Sequence, residues 1–275
     1  DVLVTILPHA SLAERLGGAA VRVHVLIGPE ETPHTFDPTP RELQRLAAAR
    51  LYFTTGVALE TSLVPRLQAS MPDLEVVATH ADLERLPAPG ADDPARARSA
   101  GHVHGPGCAH HEVDPHVWLS PRNTAAQVRV MARALARKLP GQAEAIAARR
   151  DSLLTDLDDL DAHLAELLAP VRGRTMLVFH PAFGYFARDY GLQQRAMETG
   201  GLAPGPRHLA ELMRTVEETG VHTVFIQPQQ SDQAARTLAR EAGLEVVVLD
   251  PLARDHLANL RRLGEKVRAG LEGGS

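Results

Sequence analysis

Five histidines and a cysteine fall within sixteen residues, in the run Gly101-His-Val-His-Gly-Pro-Gly-Cys-Ala-His-His-Glu-Val-Asp-Pro-His116. Imidazole nitrogen and thiolate sulfur are the donors that borderline-soft ions such as zinc favour. A tract so rich in Gly and Pro cannot pack as core, so its side chains are expected to stay in solvent. The interspersed Val, Cys, Glu and Pro, and the position inside the chain, set it apart from an expression tag. Two readings of its first eleven residues stay open. His102, His104, Cys108, His110 and His111 form an auxiliary site that captures metal by raising the local concentration of ligands, or they belong to a solvated loop with incidental affinity.

A second set of metal-type residues lies at predicted strand ends, where open α/β sheets bind their ligands. His34 sits in the loop between a strand ending near Ile27 and a helix capped by Thr39. His116 precedes a helix that starts at Ser120-Pro121, His180 follows Thr175 to Phe179, and Asp250 follows Glu245 to Leu249. Taken singly, a histidine after a strand is more often a hydrogen-bonded loop residue, and an aspartate before Pro251 can cap a turn. Two of the four come from each half of the chain. If the halves face each other across a cleft, three imidazoles and one carboxylate converge in the number and type of a tetrahedral zinc site.

The elements that must position these residues read as α/β. Candidate strands are Val2 to Leu7, Val21 to Ile27, Leu51 to Thr54 and Leu74 to Ala78, then Thr175 to Phe179, Val221 to Ile226 and Glu245 to Leu249. Helical segments alternate with them, the pattern of parallel βαβ units. Thr39-Pro-Arg-Glu42 has an N-cap, a proline at the first helical position and a glutamate three residues past the cap. From Gln142 onward the spacing predicts one helix of about 28 residues, with leucines 153, 154, 157, 160, 164, 167 and 168 on one face and aspartates mostly on a solvated one. The organisation expected is a first lobe over 1–139 that includes the His-rich loop 101–116, a connecting helix over 140–169 and a second lobe over 170–275. Both lobes are βα assemblies with parallel sheets.

Composition narrows the function classes. The chain has 275 residues, 44% of them hydrophobic, and a formal net charge of -5 with no long basic block, which argues against nucleic acid. No apolar run approaches the roughly 20 residues needed to span a bilayer. The single cysteine permits no internal disulfide. The sequence begins at Asp1 and enters a strand at once, so a leader is expected to have been removed or to lie outside it. His9 is expected to line the cleft. His24, His80, His163, His208, His222 and His256 fit surface or core positions, and Trp118 fits packing.

Four segments in order carry a family resemblance. They are Gly28-Pro-Glu-Glu-Thr-Pro-His34-Thr-Phe-Asp-Pro-Thr-Pro40, Asp114-Pro-His116-Val-Trp-Leu-Ser-Pro121, Phe179-His180-Pro-Ala-Phe-Gly-Tyr-Phe186 and Leu249-Asp250-Pro-Leu252. They resemble the metal-site motifs of the cluster A-I solute-binding proteins, the zinc and manganese receptors of bacterial ABC importers of the ZnuA and TroA type. The resemblance implies two lobes joined by a rigid helix, with His34 and His116 from the first and His180 and Asp250 from the second holding the ion between them. It implies a periplasmic or extracytoplasmic Zn2+ receptor that is not an enzyme and acts as a monomer. It docks transiently on an ABC permease, with a periplasmic zinc chaperone as a further partner. Manganese members carry a carboxylate where this chain has His180, and a third imidazole suits zinc better. Some zinc receptors have a glutamate where this chain has Pro33, which leaves the fourth ligand open between Asp250 and water. The alternatives are a zinc-dependent hydrolase with a three-histidine site, a manganese receptor, and a zinc buffer or adhesin of the same fold. The hydrolase lacks a His-Glu-x-x-His motif, and a carboxylate as fourth ligand would close the site to substrate.

Overall fold

Short apolar runs that alternate with helices bury both faces only in a parallel sheet, and the chain forms two of them. The fold is that of a computed structural model describing residues 1–33, 36, 38, 39, 43, 46, 48–88, 113–198, 206–229 and 232–273. Strands β1 (Val2–Val4), β2 (Val23–Val25), β3 (Leu51–Thr54) and β4 (Glu75–Ala78) form one sheet in the order β2-β1-β3-β4. Strands β5 (Thr175–Val178), β6 (Gln193–Ala196), β7 (Thr223–Ile226) and β8 (Glu245–Val248) form the other in the order β6-β5-β7-β8. Every pairing is parallel. The central strands β1, β3, β5 and β7 are buried at every residue and are the ones whose sequences read as unbroken apolar or β-branched runs.

The α-helices whose bounds lie within the described residues are α1 (Leu7–Gly17), α2 (Ala58–Ser70), α3 (Pro121–Lys138), α4 (Ala143–Leu168), α5 (Gly184–Tyr190), α6 (Pro206–Thr219), α7 (Asp232–Glu241) and α8 (His256–Glu272). Helix α3 starts where expected: Pro121 is its first residue, and the Ser120 hydroxyl accepts a hydrogen bond from Asn123 N at 3.1 Å. The long helix α4 has 26 residues. It buries Ile146, Leu153, Leu157, Leu160, Leu164 and Leu168, while Asp156 pairs with Arg15 and Asp161 with Arg122 on its wetter side. Pro40, Arg41 and Glu42, on which the other N-cap reading turned, lie outside the described residues.

The chain divides into two compact units that do not follow sequence order. The first comprises Asp1–Glu84, Val117–His163 and Leu252–Arg261, and the second Arg85–His116, Leu164–Pro251 and Arg262–Ser275. The described residues 85–88 and 113–116 fall in the second unit, and α4 and α8 each contribute residues to both.

In the first unit a buried carboxylate ties strand ends to a helix. Glu60 of α2 accepts hydrogen bonds from Thr55 N at 2.9 Å, Gly56 N at 2.7 Å and the Thr55 hydroxyl at 2.9 Å, and also from the Thr5 hydroxyl. These satisfy backbone donors where β3 turns into the helix, a turn that Gly56 makes with φ +91°. His9 of α1 and His256, the first residue of α8, are fully buried in the first unit. The His256 Nε2 lies 3.3 Å from the Thr124 hydroxyl. Burial, followed by repulsion from His256, pushes the His9 imidazole down to about 3, and burial pushes His256 down to about 4.

Both imidazoles are therefore neutral in the folded chain and protonate near 6.5 when unfolded. Their neutral forms leave stability intact above that value, and it falls as pH drops from 6.5 toward 4 because the unfolded chain takes up the protons first. By about pH 5 each histidine should remove ~2 kcal/mol. Urea denaturation at neutral and acid pH reads this directly, and the His9→Leu/His256→Leu chain should show a distinctly shallower loss with acid.

Candidate metal centre

The carboxyl edge of the second sheet carries a row of polar residues. Val178 of β5 is in register with Ala196 of β6, and Ile226 of β7 with Val248 of β8. The ladder runs past the strands through Phe179 N to Phe225 O at 2.8 Å, Glu198 N to Phe179 O at 3.0 Å and Leu249 N to Ile226 O at 2.9 Å. Glu198, His180, Gln227 and Asp250 thus follow β6, β5, β7 and β8 within one or two residues of each strand end. Parallel strands bring these carboxyl ends to one side, which is why residues far apart in sequence meet there.

His116 is positioned differently, by the stem of the long excursion before it. Pro87 and Val113 form an antiparallel bridge, and Asp114 N donates to Leu86 O at 2.8 Å. The buried Tyr185 of α5 accepts from Leu86 N at 3.0 Å and donates to Asp114 O at 2.9 Å, which fixes both ends of the stem to that helix. The Asp114 Oδ1 accepts from His116 N at 2.9 Å and pairs with His116 Nδ1 at 2.7 Å. Its other oxygen, Oδ2, is buried against Gly184, where an added Cβ would stand 2.6 Å away.

The two histidines come together. Their ring centroids are 5.4 Å apart at an interplanar angle of 79°, and each residue is under 10% exposed. His180 repeats the arrangement at His116: its Nδ1 pairs with the buried Glu198 carboxylate. A carboxylate on Nδ1 holds the ring proton there and leaves the Nε2 lone pair for an ion. Asp250 is held by Gln229, whose Nε2 donates to Asp250 Oδ1 at 2.7 Å. His34 and the loop residues His102, His104, Cys108, His110 and His111 lie outside the described residues. Among the described residues no group of three or more His, Cys, Asp or Glu side chains is gathered to hold a metal, so the pair His116 and His180 is what the structure brings together.

Sequence reasoning did not single out Asp114, Glu198, Gln227 or Tyr185. The Asp-x-His spacing at 114 to 116 was a usable signal. Glu198 had none, because β6, with the sequence Gln-Gln-Arg-Ala, shows no strand pattern of its own.

The family profile described as "ZnuA: Zinc-uptake complex component A periplasmic" matches residues 2–262. The chain belongs to the ZnuA family. A crystal structure of ZnuA is 30% identical, with a TM-score of 0.87 and coverage of 99% of both chains. A ZnuA deletion mutant with zinc bound is 31% identical at the same TM-score, covering 98% of this chain and 97% of the other. The zinc-binding lipoprotein AdcA of Streptococcus pneumoniae (strain ATCC BAA-255 / R6) is 29% identical over 256 residues, 92% of this chain and 50% of AdcA. The chain thus spans about half the length of that curated relative. The paired four-stranded parallel sheets and the long helix α4 are those of the ZnuA fold. ZnuA-family proteins are solute-binding components rather than enzymes, which removes the hydrolase alternative. No helix among the described residues is long and apolar enough to cross a membrane.

Because Asp114 holds the ring of His116 only while Gly184 leaves room for it, Gly184→Ala should displace the carboxylate. Zinc affinity, measured by competition with a chelator, is expected to fall about 10-fold in that variant, the usual loss when a partner behind a ligand is removed. Glu198→Gln should lose a comparable factor through His180, and wild-type affinity in both variants would disconnect the carboxylates from metal binding.

Proposed function

We propose that this chain binds zinc through His116 and His180, with His34 and Asp250 completing the coordination, and that it delivers the ion to an ABC-type permease. The observation that carries the reading is the pair of buried imidazoles facing each other, each with its Nδ1 on a buried carboxylate. That arrangement fits a cation with nitrogen ligands, and the carboxylates behind the rings offset part of its charge. Imidazole-rich coordination favours zinc over manganese, which prefers harder oxygen donors. The zinc-bound ZnuA mutant, whose chain this one matches at 31% identity, supports the same ion. No bond of the ligand is broken in such a role. The receptor is monomeric, and His102, His104, Cys108, His110 and His111 take up zinc from solution or from a periplasmic zinc chaperone and pass it to the centre.

Calorimetric zinc titration of the purified chain, with manganese as competitor, tests this. One tight zinc site that resists manganese is expected. His180→Ala should abolish tight binding, while Asp250→Ala should weaken it less, because water can take the fourth position. Deleting residues 101–111 should leave the tight site in place and slow its loading from chelated zinc. Loss of the tight site with the deletion would assign zinc to the tract instead and overturn the proposed centre.

A further inference from the structure

One member of the polar row at the carboxyl edge of the second sheet has no part in the zinc site as read so far. Gln227 is the first residue after β7 and is 4% exposed. The sheet register, extended past the strands, sets it beside His180 on the β5 side and beside Leu249, which precedes Asp250, on the β8 side. Its carboxamide Nε2 is buried with no acceptor among the described residues. An amide that carries two N–H groups and is shut away from water loses its hydrogen bonds to solvent without replacement, so a leucine of similar volume would be the more stable choice at that point. A glutamine there is accounted for if its acceptor arrives with the ligand.

We propose that Gln227 is a positioning residue of the zinc centre, donating from Nε2 to an oxygen of the loaded site. The inference rests on the zinc reading given above. The oxygen belongs to water bound on the ion or to the Asp250 carboxylate, one oxygen of which Gln229 already holds. In either case the ion polarises the acceptor and strengthens the bond, so the hydrogen bond forms with the metal and opposes its departure. A neutral amide suits this task. It orients an oxygen without adding a negative charge to a site that already has Asp114, Glu198 and Asp250 around it.

The test is Gln227→Leu in the full chain, beside His180→Ala, with zinc affinity and dissociation into excess chelator measured together with the melting temperature of the metal-free protein. The expected result is a melting temperature equal to or above that of the parent chain, with zinc binding weakened by about 10-fold through faster dissociation. A residue that only supports the fold would lower the metal-free melting temperature, and that outcome overturns the proposal. So does zinc binding within twofold of the parent while His180→Ala loses its tight site; the zinc reading would then stand without Gln227. Unchanged binding in His180→Ala would remove the zinc reading itself. Repeating the substitution in an Asp250→Ala chain identifies the acceptor: a persisting loss points to zinc-bound water, and a vanished loss points to the Asp250 carboxylate.

Discussion

An imidazole presents a defined lone pair only when its other nitrogen is held, and at His116 and His180 that hold is a carboxylate buried in the protein. The constraint is demanding because a buried carboxylate must itself be surrounded by donors. Asp114 takes the backbone N–H and the ring nitrogen of the same residue, His116, on its Oδ1, so one short turn supplies ligand and support together, while its Oδ2 stays buried beside Gly184 without a donor among the described residues. Glu198 arrives beside His180 through sheet register, because β5 and β6 are parallel and end level with each other. The rest of the second unit can be understood as what keeps these two pairs in place. Gly184 leaves room for one carboxylate, Tyr185 clamps the segment that carries it, and buried β5 and β7 fix the height of the sheet edge.

The first unit faces a different demand. Its interior contains ionisable groups that burial moves away from their ordinary behaviour: Glu60 is pushed upward, against the pull of its four hydrogen-bond donors, and His9 and His256 are pushed downward. Glu60 joins the ends of β1 and β3 to α2, so its polar cluster fixes the same edge of the first sheet that the carboxylate pairs occupy in the second. In both units the carboxyl ends of the central strands are where polar groups enter the core.

What the sequence made legible follows the strength of local signals. The buried strands β3, β5 and β7 and the half-buried edge strand β8 were readable as apolar runs, α3 from its Ser-Pro start, and α4 from its leucine spacing. The placement of His180 and Asp250 at strand ends was legible because each lies two residues past such a run. Strand β6 was not, since an edge strand of Gln, Gln, Arg and Ala is recognisable only by its pairing with β5, and Glu198 was hidden with it. The clamp of Tyr185 on Leu86 and Asp114 joins residues 99 and 71 positions apart, a contact that no periodicity encodes. For the same reason the grouping of residues 85–88 and 113–116 with the second unit has no local signal in the sequence.

The stem at Pro87 and Val113 closes the chain on itself three residues before His116. The hydrogen bonds of Leu86, Asp114 and Tyr185 that set the position of His116 all lie at or outside the two arms, so none of them depends on which residues the intervening sequence contains. For any loop whose ends are held together, doubling its length costs only about 0.6 kcal/mol in closure entropy. The excursion is in that sense a cassette. Histidines can be gained, lost or rearranged in it by insertion and deletion while the imidazole at its base keeps its place.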